Sequence, residues 1–329
     1  MDIKLTIAIS VYNVAEYIEQ TLDCVLSQTF SEFEIICIDD ASSDDTWTIL
    51  SRYSQLDQRI RLIRQASNKG LSVSRNIAIA EAKGEYILML DGDDLFAPDM
   101  LEKAYIKAIE TNADMTIWDY VVFEDVNTIA QLKKTPSVLN NIDVAEKLSI
   151  LRQPAFMWTK LFRTQWLRDL RISFTPGLTK QDIPIFWKVV TNTDKIALLP
   201  ERLSYYRIQP NQTTNRKDKS VYALAYVMDI TKQQLVEDGV YELYKDEFLR
   251  SRLSLLQGMH DHIKEELKSD ALKLIADRLG KDELTYIMNP HNQLSARVNN
   301  FYGMLRGELL ATLKYKVFNL IRCIYRKLR

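Results

Sequence analysis

Three carboxylates lie within four residues at the end of a short apolar run. Asp91, Asp93 and Asp94 follow Tyr86–Leu90 and enclose Gly92. Carboxylates this close repel one another unless a cation lies between them. Mg²⁺ and Mn²⁺ take oxygen ligands, often one or two carboxylates together with substrate phosphates. The stretch therefore predicts either a divalent-cation site or an acidic, solvated turn, and a D-x-D alone does not decide between them.

Two other short apolar runs also end in polar side chains. Leu5–Ser10 ends at a serine hydroxyl, and Glu34–Ile38 is followed directly by Asp39 and Asp40. In an open parallel sheet the carboxyl ends of the strands meet at one edge, where ligands bind. We therefore expect these strand ends to share that edge with the acidic stretch. The alternative for the two aspartates is that they only cap the helix that follows them.

The elements that must position these groups alternate between strand and helix. Short, continuous apolar runs match strands buried on both faces, and the segments between them have helical spacing. We expect Asn13 to cap the first helix, Ser42 and Asp45 to form a capping box, and Pro98 to open the fourth helix. The expected strands are residues 5–10, 34–38, 60–63, 86–90 and 115–123. This rhythm predicts an α/β chain with a doubly wound sheet. Because no G-x-G-x-x-G follows the first strand, a dinucleotide-binding Rossmann domain is not expected.

The chain changes character twice after residue 125. Residues 126–141 are polar and turn-rich, which predicts a loop or short hairpin. After Asn215 helical periodicity dominates, and we predict a helical C-terminal extension. Leu310–Arg329 would place apolar side chains on one helix face and basic side chains on the other. Such a helix either lies on an anionic membrane surface or docks on the protein through its apolar face.

Composition narrows the functional classes. The 329 residues contain 43 Lys and Arg against 44 Asp and Glu, so no basic field suggests a nucleic-acid partner. Cys24, Cys37 and Cys323 lie far apart, which favours reduced thiols and a cytoplasmic compartment. The N-terminus lacks the pattern of a signal peptide, and no apolar run is long enough to predict a transmembrane helix.

A series of motifs gives the chain a family resemblance. They are SVYN (10–13), LSQTF (26–30), IDDASSDDT (38–46), NKGLSVSRN (68–76), GEYILMLDGDD (84–94), WTKLF (158–162), QDIP (181–184) and YYR (205–207). In this order they resemble the inverting nucleotide-sugar glycosyltransferases of family 2, over about residues 1–215. The resemblance implies an α/β chain with the A-type glycosyltransferase fold, a Rossmann-like mixed sheet flanked by helices, followed here by the helical extension.

The resemblance assigns a nucleotide pocket to residues already singled out. It places Ser10 and Asp40 in this pocket, with Asp39 beside them. Asp40 is expected to point into the cleft, where a carboxylate can accept the imide N–H of uracil but finds no such donor on cytosine. That favours UDP over CMP as the donor nucleotide. Arg75 corresponds to an arginine near the phosphates, where its planar fork suits two oxygens, and the alternative is a surface helix residue.

The metal and the base also follow from the resemblance. It makes Asp93 a direct ligand of Mn²⁺ or Mg²⁺, and Asp91 a contact to the ribose or, through water, to the metal. For Asp94 a capping role stays open. Asp182 corresponds to the catalytic base, although Gln181 stands where the family usually has glutamate. A single base with no second nucleophile implies inversion, so that an α-linked donor sugar gives a β-linked product.

The resemblance also suggests an organisation and partners. Residues 1–125 would bind the nucleotide sugar, residues 126–215 the acceptor, and residues 216–329 would form the extension. The acceptor would be a saccharide, often lipid-linked, in bacterial surface polysaccharide synthesis. The protein would then be cytoplasmic, at the inner face of the membrane if Leu310–Arg329 binds there. Trp158 and Trp187 could stack on a sugar, although core packing is the commoner role.

Two rival functions remain from the sequence. A catalytically inactive protein could keep this fold for glycan binding or scaffolding, although intact Asp40, Asp93 and Asp182 speak against it. An aspartate-nucleophile phosphatase is suggested by the D-G-D sequence at residues 91–93. Such enzymes carry the motif on their first strand, whereas three strands precede it here, which makes this rival weaker.

Overall fold

The computed structural model describes residues 3–209, 212, 215–305 and 307. By the density of internal contacts the chain divides into two compact units, residues 1–212 and 213–329. The sequence places the corresponding boundary between residues 215 and 216. A division of the first unit into donor and acceptor halves stays a prediction. The expected amphipathic helix at Leu310–Arg329 lies outside the described residues.

The first unit is built on one mixed sheet. Its described strands are β1 (Leu5–Val11), β2 (Phe33–Asp39), β3 (Ile60–Arg64), β4 (Tyr86–Asp91), β5 (Leu95–Phe96), β6 (Met115–Phe123), β7 (Lys160–Arg163) and β8 (Ile196–Arg207). The sheet order is β3-β2-β1-β4-β7-β6-β8-β5. The pairs formed by β1, β2, β3 and β4 are parallel, whereas β7 runs antiparallel to both β4 and β6. The predicted alternation therefore holds for the first half, and β7 makes the sheet mixed.

Helices flank this sheet. They are α1 (Ile18–Leu26), α2 (Thr46–Leu56), α3 (Leu71–Glu81), α4 (Met100–Glu110), α5 (Ile129–Leu132), α6 (Lys147–Leu151), α7 (Thr164–Asp169) and α8 (Asp182–Thr191). The central strands β1, β2 and β4 are buried along almost their whole length, since helices cover both faces. Apolar side chains of these strands and of α1 and α4 form the main core.

Some of the expected helix boundaries are wrong. Asn13 adopts a left-handed backbone (φ 52°) and α1 begins only at Ile18, so Asn13 does not cap it. The capping box is not formed, because α2 follows Asp45 without a side-chain capping hydrogen bond, and Ser42 accepts from the Asn13 N–H at 3.0 Å. Pro98 precedes α4 because residues 95–96 first pair with β8, which delays the helix to Met100. Residues 126–141 contain short helical turns and α5 rather than a hairpin.

The second unit is helical where it is described, as the sequence predicts. Its helices are α9 (Ala223–Glu237), α10 (Tyr241–His262), α11 (Lys268–Ala276), α12 (Lys281–Met288) and α13 (Ala296–Leu305). The 22-residue α10 is the longest, and its buried face includes Phe248, Leu253 and Leu256. Among the described residues no helix combines the length and apolarity needed to cross a membrane.

Candidate active site

Strand register brings the first three predicted positions to one edge of the sheet. Ser10 of β1 pairs with Asp91 of β4, and the next residue, Val11, pairs with Asp39 of β2. Parallel strands that are in register end together, so their terminal side chains lie side by side. The edge expected from the sequence is therefore present as a structural feature.

The turn after β4 is held by close packing. A Cβ on Gly92 would lie 2.7 Å from Cγ1 of Val11, so only glycine fits without displacement. The Thr21 hydroxyl lies 3.2 Å from the Gly92 carbonyl oxygen and 2.9 Å from that of Asp94, and can donate to either. These contacts fix the backbone from which Asp93 and Asp94 project.

The acids of this turn carry more negative charge than nearby groups neutralise. Burial, and then the neighbouring Asp91, raise the pKa of Asp93 to about 6, while Gln209 donates to its Oδ2 at 2.8 Å. Burial also raises the pKa of Asp94 well above its usual value. Asp94 accepts from the Arg207 N–H through Oδ1, but its buried Oδ2 has no hydrogen-bond partner among the described residues. Asp94 thus anchors β8 to the turn.

This donor set fits a hard divalent cation that shares its ligands with a substrate. The available donors are carboxylate oxygens, and burial of like charges makes a cation favourable there. In the described part of the chain no three His, Cys, Asp or Glu side chains converge as a complete metal cage. Mg²⁺ and Mn²⁺ sites that rely on one or two carboxylates complete their coordination with substrate phosphates and water.

Arg75 joins the expected base to the acidic turn. It projects from α3, is only 3% exposed, and forms an ion pair with the Asp182 carboxylate. Its Nη2 also lies 3.4 Å from Oδ1 of Asp91, and the guanidinium lies 5.5 Å from the ring centre of Phe174. The alternative of a surface helix residue is therefore wrong, because Arg75 is buried among acids at the sheet edge.

Asp40 differs from the expectation that it points openly into the cleft. Its carboxylate accepts the backbone N–H groups of Lys69 and Gly70, each at 2.7 Å, and the Gln65 amide at 2.6 Å. The residue is 4% exposed, and a buried carboxylate must find donors of this kind. Asp40 therefore shapes the loop that opens α3, and the position of Gly70 there requires a positive φ of 86°.

Asp39 is also bound internally. It is fully buried, with Oδ1 accepting the Ser42 N–H at 3.1 Å and Oδ2 lying 3.1 Å from Nε of Arg64. Asp39 thus lies at the predicted edge, but its carboxylate is bound by Ser42, just after β2, and by Arg64, at the end of the neighbouring β3.

Lys160 is the residue of this site that sequence reasoning missed. It is fully buried, and its Nζ donates to the carbonyls of Pro154 (2.9 Å) and Phe156 (2.6 Å) and to the Thr159 hydroxyl (3.2 Å). Burial lowers the pKa of Lys160 to about 7, and the negative charge of Asp182 opposes that shift. The sequence does contain a sign of this role. In WTKLF the lysine lies among apolar residues, and a lysine in the protein interior needs specific hydrogen-bond or charge partners.

The two candidate tryptophans pack in the interior. Trp158 is 4% exposed and Trp187 is 2% exposed, so neither offers a ring face to a sugar. Asp182 is the first residue of α8, and Gln181 occupies the cap position without a capping hydrogen bond from its side chain. Asp182 therefore does not cap this helix, and its carboxylate is directed to Arg75.

The sequence matches a known protein family. The model of glycosyl transferase family 2 matches residues 6–171, just over half of the 329 residues. The chain belongs to this family. It is 29% identical over 219 residues to glycosyltransferase GlyA of Streptococcus pneumoniae, covering 64% of this chain and 31% of that protein. It is 28% identical over 230 residues to a poly(ribitol-phosphate) beta-glucosyltransferase of Bacillus spizizenii, covering 68% and 34%. The match thus spans about a third of each of these relatives.

Solved structures confirm the fold class. The structure of S. aureus TarS residues 1–349 with UDP-GlcNAc superposes with a TM-score of 0.74 at 20% identity, covering 93% of this chain and 88% of that TarS chain. A mannosyltransferase of Pyrobaculum calidifontis, solved with GDP-Man and Mn²⁺, gives a TM-score of 0.53 at 14% identity, covering 95% and 86%. The A-type glycosyltransferase fold with C-terminal helices is therefore confirmed.

Proposed function

We propose that this protein is an inverting glycosyltransferase that moves a sugar from a UDP-sugar to a saccharide acceptor in bacterial surface polysaccharide synthesis. The observation that carries the proposal is the Arg75 bridge between Asp182 and Asp91. Through one buried arginine it joins the proposed base to Asp91, the first acid of the D-x-D sequence. A protein that kept the fold only for scaffolding would have no need to bury an arginine between these two acids.

UDP is the proposed donor nucleotide. TarS, which has the same fold, has been solved with UDP-GlcNAc. Ser10 and the Asp40 loop flank the edge where the nucleotide would bind. A carboxylate can accept about four hydrogen bonds, and Asp40 receives three from the protein, so one position remains for the uracil imide. Asp39 would act beside it by fixing the end of β2.

Asp93 is proposed to hold Mn²⁺ or Mg²⁺, with Asp91 contacting the ribose or, through water, the same ion. An ion held there would supply positive charge to offset the charge that develops on the departing UDP. Arg75, beside Asp91, has the planar fork suited to diphosphate oxygens. Its contacts with both acids would orient it toward the diphosphate before the donor arrives.

Asp182 is proposed as the general base. Its carboxylate would take the proton of an acceptor hydroxyl as that oxygen attacks the anomeric carbon opposite UDP. Attack in one displacement inverts the configuration, so an α-linked donor gives a β-linked product. The B. spizizenii relative named a beta-glucosyltransferase supports this stereochemistry. Gln181 in place of glutamate leaves Asp182 as the only carboxylate of the pair.

The acceptor side of the proposal rests on the relatives. We propose a saccharide acceptor, lipid-linked when it is presented at the inner face of the cell membrane, where a cytoplasmic enzyme would meet it. Leu310–Arg329 would provide the membrane contact.

A donor screen tests this function. The full chain is incubated with UDP-glucose, UDP-galactose, UDP-GlcNAc or GDP-mannose in Mn²⁺ or in EDTA, and nucleotide release is measured. We expect slow hydrolysis of one UDP-sugar in Mn²⁺, with little release in EDTA or from GDP-mannose. If none of the UDP-sugars is hydrolysed, and UDP shows no binding by calorimetry, the inactive glycan-binding alternative is favoured.

A further inference from the structure

Three aromatic rings form a parallel stack beside the proposed site. Trp158 lies between Phe156 and Tyr206, with ring centres 5.0 Å and 5.4 Å away and interplanar angles of 9° and 3°. Tyr120 meets Phe156 and Trp158 edge-on at 5.7 Å and 5.1 Å. We call Phe156, Trp158 and Tyr206 the aromatic stack.

Only the middle of the aromatic stack is hidden. Trp158 is 4% exposed, whereas Phe156 and Tyr206 are half-buried. Stacked aromatic pairs contribute about 0.5–1.5 kcal/mol beyond the area that they bury. A cluster that served the core alone would be expected to bury all of its rings. Here the end ring Phe156, which stacks on Trp158 through one face, keeps part of its surface accessible.

The two ends of the aromatic stack connect to the two sides of the proposed chemistry. At one end the Phe156 carbonyl accepts the Lys160 ammonium at 2.6 Å, and Lys160 interacts electrostatically with Asp182. At the other end Tyr206 directly precedes Arg207, whose Nε donates to the Asp93 carbonyl and whose N–H donates to the Asp94 carboxylate. The aromatic stack thus links the base side of the site to the D-x-D side.

We propose that Phe156 is the stacking platform for a pyranose ring of the acceptor saccharide. The inference rests on the proposed function, and it adds a binding site and a class of ligand to it. A pyranose has a C–H face that packs on an aromatic ring and a rim of hydroxyls that stays hydrated. A ring laid on Phe156 would have its rim next to the loop of residues 154–159 that Lys160 holds by hydrogen bonds, and Lys160 lies close enough to Asp182 to be affected by its charge. An acceptor hydroxyl must lie near Asp182 to lose its proton.

The apolar ring of Phe156 also indicates which feature of the acceptor sugar is recognised. Phenylalanine has no donor or acceptor, so it recognises the flat C–H face rather than a pattern of hydroxyls. The aromatic stack holds this ring rigid, which lowers the entropy lost on binding. Pyranosides with an uninterrupted C–H face, such as β-glucosides, are therefore the class that fits.

Saturation-transfer NMR on the full chain tests the site without a donor. Methyl β-D-glucopyranoside and methyl N-acetyl-β-D-glucosaminide serve as probes against the wild type, Phe156→Leu, Phe156→Trp and Phe30→Leu. Phe30 is a matched control, since it is also half-buried and packs on one tyrosine, Tyr105, at 5.0 Å. We expect Phe156→Leu to weaken probe binding about tenfold, while the other two variants bind as the wild type does.

A second measurement does not depend on the folding of any variant. In the wild type, irradiation of aromatic protons should saturate the C–H face of the probe more strongly than irradiation of methyl protons does. The site is overturned if neither probe receives saturation, if aromatic irradiation has no advantage, or if folded Phe156→Leu binds as Phe30→Leu does. Failure of the proposed function gives a different result: no UDP-sugar hydrolysis, with probe binding at Phe156 unaffected.

Discussion

The two units of the chain bury charge in opposite ways. In the helical unit, Glu283 is 1% exposed and lies 3.1 Å from Nζ of Lys232 and 3.3 Å from Nε of Arg252. Arg252 also reaches Asp229 at 2.6 Å, so these buried charges have close partners of opposite sign. At the sheet edge of the first unit, Asp93 and Asp94 instead have raised pKa values because burial is not matched by nearby cations.

This difference separates structural charges from charges that await a ligand. A buried ion pair with good geometry is complete by itself, although the desolvation of its members limits what it adds to stability. A cluster with surplus charge is destabilising in isolation and becomes favourable when a cation or substrate supplies the missing charge. The charges at the sheet edge therefore lower the stability of the free protein and favour ligand binding, whereas the paired charges of the helical unit do neither.

The largest expected effect comes from neutralising the proposed base. Asp182→Asn keeps the size of the side chain and an oxygen that can accept from Arg75, and Asp91 still lies near that arginine. It cannot take a proton, so we expect turnover to fall by about 10²–10⁴-fold while UDP affinity stays unchanged. Transfer assays and calorimetry measure the two quantities.

The exposed Asp169 provides a control, because Asp169→Asn removes the same charge from the surface of the same unit. It should leave both quantities unchanged. Near-normal transfer by Asp182→Asn would place the base elsewhere, and an α-linked product from an α-linked donor would remove the inverting mechanism altogether.

Local pattern was sufficient to predict the elements that end at the site. β1, β2 and β4 are short apolar runs followed by polar residues, and both features are visible within a few residues. The insertion of antiparallel β7 between β4 and β6 was not predictable, because strand pairing depends on contacts between distant segments.

Some features of the site depend on such distant contacts too. The Arg75–Asp182 ion pair joins residues 107 positions apart, and nothing local to either residue specifies it. Asp40 shows the same limit. Its strand-end position indicates a ligand contact, which stays a proposal, but the three donors that Gln65, Lys69 and Gly70 provide after β3 can be seen only when that segment has a conformation.

In the helical unit, removing one charge should cost stability rather than activity. Glu283→Gln would leave Arg252 and Lys232 without their shared carboxylate, and breaking a buried pair in this way costs about 3–5 kcal/mol. Urea unfolding of the full chain, followed by hydrogen exchange in α10 and α12, measures the loss. The control is Glu242→Gln, because Glu242 pairs with Lys245 at an exposed position and should cost less than about 1 kcal/mol. A Glu283→Gln variant as stable as this control would show that the buried charges are not matched as described.

Acid should weaken the helical unit through His260. Burial lowers the pKa of His260 to about 4, so between pH 6.5 and pH 4 the unfolded chain binds a proton that the folded chain does not. The free energy of unfolding must therefore decrease as the pH is lowered from 6.5 to 4, by up to about 3 kcal/mol. His260→Phe, which can keep the ring contact with Phe301, should lose less stability on acidification, whereas exposed His291→Gln should behave as the wild type does. If the stability of His260→Phe fell on acidification as steeply as that of the wild type, the loss of stability could not be assigned to His260.

The smallest effect is expected at Asp93, and its sign should depend on the ligand. At pH 7.5, above its raised pKa, Asp93 is ionised in both the folded and the unfolded chain, but only the folded chain bears the cost of burial and of Asp91 nearby. In EDTA, Asp93→Asn should therefore stabilise the protein by about 1 kcal/mol, discounted for partial exposure. The asparagine oxygen can still accept from Gln209.

With Mn²⁺ and UDP the wild type gains stability from binding and the variant does not, so the order of their melting temperatures should reverse. Asp99→Asn, which removes a carboxylate paired with Lys103 at 2.9 Å, should stabilise under neither condition. A different outcome would contradict this interpretation: an Asp93→Asn variant that is stabilised in EDTA and whose melting temperature still rises with Mn²⁺ and UDP. Asp93 would then carry surplus charge without holding the metal, and the contrast between the two units would have another cause.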